Sequence, residues 1–116
     1  MDLTAIWTFH AALHGVVCLV SLPLAWRWIP LNDTYGYRLG DYRDWPAEKW
    51  FRVNQALGRR MAWGTGVLAA CWGLLAWYGP VVPRAQFPWA AGVPTVPLLV
   101  VLLIATVAAR REAQRS

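Results

Sequence analysis

Acidic and nucleophilic residues are scarce in this 116-residue chain, and their scarcity excludes most enzyme mechanisms. Six residues are acidic, none of them within a long apolar stretch, and serine occurs twice. The sequence contains no glycine-rich phosphate loop, nucleophile elbow or metal motif. The two cysteines, Cys18 and Cys71, both fall in apolar stretches and lack metal or redox spacing. We therefore expect a protein that is not an enzyme.

Apolar residues, by contrast, make up 58% of the chain and gather in three long stretches. The stretches cover residues 3–28, 61–78 and 89–109, each close to the roughly 20 residues that a helix needs to cross hydrocarbon. Most of the nine tryptophans lie near the ends of these stretches, where indole rings favour the membrane interface. Trp45 and Trp50 lie in a loop and need another explanation. The pattern predicts an all-α membrane protein, with three transmembrane helices in a single domain over residues 1–116.

Positive charge is distributed unevenly around the three stretches. Seven of the eleven Lys and Arg residues lie between the first and second stretches, three follow the third, and only Arg84 lies between the second and third. Because basic residues concentrate in the cytoplasmic segments of membrane proteins, this order predicts an outer amino terminus and a cytoplasmic carboxyl terminus. The net charge of +5 then suits topology and contact with anionic membrane lipids, and we expect no nucleic-acid partner.

The loop between the first two stretches ends in a predicted amphipathic helix that starts near Pro46 and precedes the second span. Its apolar face consists of Trp50, Val53, Leu57 and Met61. Its polar face consists of Glu48, Arg52, Gln55 and Arg59. Glu48 and Arg52 are spaced to form an ion pair. Two arrangements stay open: the helix lies on the membrane surface with a bend at Gly58, or it continues straight into the second span.

Small residues recur at four-residue intervals in the first two spans. The second span contains Ala62, Gly66 and Ala70, and the first contains Ala11 and Gly15. Such spacing lets helix backbones approach closely. It predicts either that these two spans pack on each other or that two copies of the chain form a homo-oligomer along this seam.

A spaced motif lies in the loop and the amphipathic helix. It consists of Pro-x-Asn, Gly-x-Arg and Glu-x-Trp, followed by an Asn four residues later and a Gly four residues after that. The residues at these positions are Pro30, Asn32, Gly36, Arg38, Glu48, Trp50, Asn54 and Gly58. This segment, with the span that follows it, resembles the SdpI family of small bacterial integral membrane proteins. The chain departs from the family pattern at Leu39-Gly40, where Thr-Pro is usual, and in a slightly longer spacing between Gly36 and Trp50.

The resemblance implies a protein of the bacterial cytoplasmic membrane that binds a partner rather than catalysing a reaction. The best-known family member gives its bacterium immunity to a secreted antimicrobial peptide and takes part in signalling. We therefore expect this chain to bind a peptide toxin or another membrane protein. A peptide would meet the outer loop and the outer halves of the spans, and a regulatory partner would meet the basic cytoplasmic segment.

Within the motif, the residue types suggest a folded structure that lies against the membrane. Arg38 has three candidate carboxylate partners nearby in the sequence, which are Asp41, Asp44 and Glu48. Asn54 is expected to point partly inward and to bond the turn at residues 32–36, because a buried amide requires partners. Either the motif residues form a recognition surface, or they only fold the loop back onto the helix.

A pair of histidines in the first stretch, His10 and His14, is the other chemical feature. They lie one turn apart on one helix face, and ionisable residues inside a membrane are commonly functional. Imidazole ligates metals, haem and pigments, but the sequence shows no third ligand at matching depth. Two interpretations stay open. The histidines are neutral packing residues, or they bind haem or a pigment in an accessory subunit of a larger respiratory or photosynthetic membrane complex.

Overall fold

The chain forms three α-helices and one short 3₁₀ helix in a computed structural model that describes residues 3–38, 40–78 and 94–115. Helix α1 covers Leu3–Ala25, α2 covers Ala47–Trp77 and α3 covers Thr95–Gln114. The 3₁₀ helix lies at Tyr42–Asp44. No β-strand occurs within the described ranges, so the predicted all-helical fold is confirmed.

One described helix has both the length and the hydropathy of a membrane span. Thr4–Ala25 of α1 has a mean hydropathy of 1.7. Helix α2 becomes apolar only after Arg60, and α3 carries Arg110 and Arg111 in its last turns. Of the predicted third span, residues 89–93 fall outside the described part of the chain, and the helix itself begins at Thr95.

Helix α1 ends three residues before its apolar stretch does, because the chain reverses at Arg27. The Arg27 N–H donates to the Leu24 carbonyl (3.2 Å), and the Trp28 N–H donates to the Pro23 carbonyl (2.8 Å). These two bonds form a Schellman motif, which needs a left-handed residue just past the helix. Arg27 adopts that conformation with φ 60°, at a cost of about 1–2 kcal/mol because it is not glycine.

Helix α2 is continuous from Ala47 to Trp77, so the amphipathic segment and the second apolar stretch form one helix. Its 31 residues extend over about 46 Å at 1.5 Å per residue. Of the two arrangements that the sequence leaves open, the structure contains the straight one. Gly58 lies within the helix, where it allows close contact with α1 and does not mark a bend.

Helix α2 is central and packs against α1 on one side and α3 on the other. Gly58 contacts the α1 backbone at Leu24 and Ala25, and the Cys18 Sγ–H donates to the Ala62 carbonyl (3.3 Å). The predicted packing of the first two apolar stretches on each other is therefore present. Gly15 has no part in it, because a Cβ at that position would have no atom within 4 Å.

Apolar side chains cover the outward faces of all three helices. Large side chains that are 54–66% exposed occur on each helix, and they include Phe9, Val16, Leu19, Val67, Leu74, Leu99, Leu103 and Ile104. The well-buried core lies at the end of the molecule near Trp50 and Val53, which are fully buried. Exposed apolar surface of this extent marks a region that contacts lipid or another protein.

Replacing Gly58 by alanine should destabilise the fold. A Cβ there would lie 2.5 Å from the Ala25 backbone nitrogen and 2.7 Å from the Leu24 Cβ, so α1 would have to move away from α2. We expect a loss of about 1–3 kcal/mol from such overpacking. The measurement is thermal unfolding of the purified protein in detergent.

Gly73→Ala is the matched control in the same helix. A Cβ at Gly73 meets nothing within 4 Å, so alanine should stabilise the helix by about 0.5–1 kcal/mol. Equal unfolding midpoints for wild type and Gly58→Ala would show that α1 does not pack on Gly58.

Candidate functional site

The loop between α1 and α2 folds around the side chain of Asn32. Its Oδ1 accepts the N–H groups of Thr34 (2.8 Å) and Tyr35 (2.6 Å). Its Nδ2 donates to the carbonyls of Pro30 (2.8 Å) and Tyr35 (3.1 Å). Asparagine closes turns by this kind of bonding to nearby backbone. Two motif residues, Pro30 and Asn32, therefore set the local shape of the loop.

Asn54 attaches this loop to α2. Its Oδ1 accepts the Tyr37 N–H (2.5 Å), and its Nδ2 donates to the Trp50 carbonyl one turn earlier (3.0 Å). Gly36 lies directly against the amide, since a Cβ there would come within 2.5 Å of Asn54 Oδ1, and its φ of 109° favours glycine. The predicted contact between Asn54 and the turn at 32–36 is present, with the hydrogen bond one residue beyond, at Tyr37.

Trp50 and Gly58 attach the end of α1 to the same part of α2. The Trp50 indole N–H donates to the Ile29 carbonyl (2.9 Å), and Gly58 admits the backbone at Ala25. Six of the eight motif residues thus meet at one junction: Pro30, Asn32, Gly36, Trp50, Asn54 and Gly58. We call residues 29–58, which form this junction, the cap.

An aromatic cluster fills the cap. Its buried members are Tyr37, Tyr42, Trp45 and Trp50, joined by Val53 and by Ala109 of α3. The rings of Tyr37 and Trp45 are nearly parallel with centroids 6.3 Å apart, and Tyr42 lies 6.2 Å from Trp50. The cluster explains the two loop tryptophans. The sequence pattern does not predict the roles of Tyr37 and Tyr42, and the only signal for them is the aromatic density of the loop.

Arg38, which the motif singles out, lies exposed on the surface of the cap. Its Nη1 donates to the Asp33 backbone carbonyl (2.5 Å). It is hydrogen-bonded to none of the carboxylates suggested by the sequence, because the turn around Asn32 brings the Asp33 carbonyl beside it. The guanidinium therefore braces the loop and keeps much of its surface open to solvent.

The predicted pair between Glu48 and Arg52 is not formed, since each has another partner. Glu48 pairs with Arg27 just past the end of α1 (3.0 Å). Arg52 Nε lies 3.2 Å from the Glu112 carboxylate of α3, and its Nη2 donates to the Arg115 carbonyl (3.2 Å). Helix spacing offers no signal for these contacts, because they join residues far apart in the chain. Together they fasten α1 and α3 to the first turns of α2.

Asp33 has the most extensively bonded carboxylate of the loop. Its Oδ1 accepts the Tyr42 hydroxyl (2.8 Å) and the Arg43 Nε–H (2.9 Å). The Tyr42 hydrogen bond, and after it the Arg43 guanidinium, hold the pKa of the Asp33 carboxyl below its ordinary value of 3.8. Because the pair is largely exposed, solvent screens it and its contribution to stability is modest.

His10 and His14 lie in the interface between α1 and α2, at the end away from the cap. His14 is fully buried and His10 is nearly so. Trp72 lies 6.4 Å from the His10 ring and 6.3 Å from the His14 ring, and Trp7 stacks on Trp72 at 5.3 Å. The structure therefore brings the two predicted histidines together with two indole rings.

The hydrogen bonding of His14 fixes its tautomer. Its Nδ1 lies 2.6 Å from the His10 carbonyl, and a carbonyl only accepts, so the proton is on Nδ1. When the ring is neutral, its Nε2 is an acceptor, and this atom is buried with no hydrogen-bond partner in the described part of the chain. No group of three His, Cys, Asp or Glu residues that could hold a metal ion occurs within those same ranges. The candidate ligand atom for haem or a pigment is therefore the buried His14 Nε2.

Comparisons with known proteins found no relative: no family model matches the chain, and searches of curated proteins and of solved structures returned no match. The likeness to the SdpI family accordingly rests on the spaced motif in residues 29–58.

Acid should weaken the cap through Asp33. A carboxyl whose pKa is lowered by folding stabilises the folded state above its ordinary pKa, and that stabilisation disappears as the pH falls through the lower folded value. We expect the unfolding midpoint to fall as the pH drops below about 4. Asp33→Asn should reduce this pH dependence, as measured by tryptophan fluorescence during thermal unfolding.

Asp44→Asn is the control for that measurement. The Asp44 side chain forms no hydrogen bond or ion pair with any residue of the described ranges, so its loss should leave the pH dependence unchanged. An acid response that survives in Asp33→Asn at full strength would show that the bonds at Asp33 do not stabilise the cap.

Proposed function

We propose that the chain is a non-enzymatic, SdpI-like integral membrane protein of the bacterial cytoplasmic membrane that binds a peptide or a membrane protein. Its role is toxin immunity or signalling. The observation that carries the proposal is the convergence of the motif on the cap. Six of the eight residues behind the resemblance to the family lie where the end of α1, the loop and the start of α2 meet. These motif residues thus share a structural role as well as the spacing of the family motif.

Three membrane spans are part of the proposal, with the amino terminus outside and the carboxyl terminus in the cytoplasm. The exposed apolar side chains on all three helices support it. The part of α2 from Met61 to Trp77 extends over about 26 Å, close to the thickness of the hydrocarbon core. Basic residues line three grooves of the bundle: Arg27 and Arg59 line one, Arg60 and Arg111 another, and Arg110 a third beside the cap. The positive-inside rule favours the cytoplasm for these residues.

In this orientation the two ends of the molecule offer different surfaces to a partner. A secreted peptide would reach the outer halves of the spans, where Trp77 and Tyr78 are strongly exposed. A cytoplasmic partner would reach the cap, whose exposed Arg38 and Arg43 are held in place by Asp33. Hydrogen bonds and packed aromatic rings hold the inside of the cap together, so the cap supports these exposed groups.

The topology is tested by cysteine labelling in intact cells. In a chain lacking both native cysteines, Gln86→Cys should react with a membrane-impermeant maleimide, because the proposed topology puts residue 86 outside the cell. Thr34→Cys, which is exposed on the cap, should react only after the cells are permeabilised. Labelling of Thr34→Cys in intact cells, or protection of Gln86→Cys, would contradict the three-span topology.

Immunity is tested in a bacterium that is killed by the secreted peptide countered by SdpI-family immunity proteins. Expression of the wild-type chain should raise survival. Asn54→Leu should abolish protection, because it leaves the buried Tyr37 N–H without its acceptor at a cost of about 1–3 kcal/mol. Thr34→Ala, on the exposed side of the same loop, should retain protection. Unchanged killing at full wild-type expression would contradict immunity, and the amount of each variant in the membrane serves as the control.

A second candidate function is favoured by the buried, unbonded Nε2 of His14. We propose as the alternative an accessory subunit of a larger respiratory or photosynthetic complex, in which the histidine pair would hold haem or a pigment through His14 Nε2. A visible absorption band in the gently solubilised protein, together with migration at the mass of a larger complex, would favour this function. A colourless protein that migrates alone would contradict it.

A further inference from the structure

We propose that a groove between α1 and α2 binds one anionic phospholipid from the cytoplasmic leaflet. The phosphate would lie at Arg27 and Arg59, and an acyl chain would run towards Ala70. This inference rests on the membrane placement given under the proposed function. It goes beyond that function because it assigns a phospholipid to a groove that contains neither the aromatic cluster of the cap nor the two histidines.

The first section of the groove is cationic. It has a volume of about 420 Å³ and is lined by Arg27, Gln55, Arg59 and Trp63, among others. Arg59 is exposed and forms no hydrogen bond or ion pair with any described residue. Arg27 donates from Nε to Gln55 and from Nη1 to Glu48, which leaves Nη2 for another acceptor. Guanidinium groups match the geometry of phosphate oxygens, and these two flank one cavity.

The second section of the groove is apolar and continues from the first. It has a volume of about 460 Å³, and both sections share Leu22, Ala62 and Trp63 as lining residues. Cys18, Gly66 and Ala70 line the rest. The Cys18 thiol already donates to the Ala62 carbonyl, so it adds no unpaired polar group to this section of the groove. Small side chains keep this channel open, and it suits a hydrocarbon chain.

The order of chemistry along the groove favours a phospholipid. From Arg59 to Ala70 the lining changes from guanidinium through indole to aliphatic over about 16 Å of helix. A phospholipid beside the protein presents phosphate, interface and acyl chain in the same order. A second copy of the chain in the same orientation would instead bring its own Arg27 and Arg59 to this end, and like charges would oppose its docking.

The test is native mass spectrometry of the full chain in detergent, titrated with phosphatidylglycerol, with phosphatidylcholine and with glycerol 3-phosphate. We expect one phosphatidylglycerol per chain, bound more tightly than phosphatidylcholine, and no binding of the tailless glycerol 3-phosphate at the same concentrations. Arg59→Gln should weaken phosphatidylglycerol binding about fivefold. Ala70→Phe should also weaken it, by filling the apolar section.

Arg60→Gln is the matched control, because it removes the same charge one residue along α2. Arg60 lines a different groove, with Leu103 and Arg111 of α3, so the affinity of the α1–α2 groove should be unchanged. Equal losses of phosphatidylglycerol affinity for Arg59→Gln and Arg60→Gln would overturn the proposal in favour of diffuse attraction to the basic end.

The absence of a preference for phosphatidylglycerol over phosphatidylcholine would overturn the proposal as well. So would a dimer that Ala70→Phe dissociates, because a second chain would then occupy the groove. None of these results would change the outcome of the cysteine-labelling or peptide-protection experiments. The lipid proposal can therefore be wrong while the proposed function is right, and the reverse.

Discussion

The buried amide of Asn54 is the constraint on which the organisation of the cap depends. Its oxygen and its nitrogen are both committed to backbone groups, at Tyr37 and Trp50. Since an unpaired buried amide costs about 1–3 kcal/mol, the loop must return to α2 with Gly36 beside that side chain. This return brings the aromatic rings of the loop over Trp50, where α3 adds Ala109 to the cluster. One buried polar group thus sets how the loop meets α2 beside the aromatic cluster.

The two faces of α2 divide the remaining packing between them. Gly58 admits the backbone of α1, whereas a Cβ at Gly64 would lie 2.5 Å from Val101 of α3. Close approach of this kind increases the van der Waals contact between neighbouring helices. The Arg27–Glu48 and Arg52–Glu112 pairs add polar contacts only at the end of the bundle where basic residues gather.

Hydrophobic periodicity in the sequence predicts the helical class and the approximate places of the helices, because each apolar face repeats over many residues. It also indicates which motif residues belong together, as the contact of Asn54 with the neighbouring turn shows. It does not predict the end of α1, which depends on the left-handed backbone of Arg27 and not on hydropathy. Nor does it predict that Arg52 reaches Glu112, or that Arg38 bonds the Asp33 carbonyl, because those contacts depend on how the loop closes in three dimensions. The orientation of His14 depends in turn on one backbone carbonyl, which no side-chain pattern reveals.

The unbroken course of α2 has a geometric consequence. The same helix carries Trp72, beside the histidines, and Trp50, in the aromatic cluster of the cap. It contains no proline between them, neighbouring helices pack against its glycines at 58 and 64, and the helix continues without a break through Gly66. Trp72 and Trp50 are therefore attached to one continuous helical backbone, about 33 Å apart along its axis. The separation between these two sites is thus set by the length of α2 and not by the conformation of a loop.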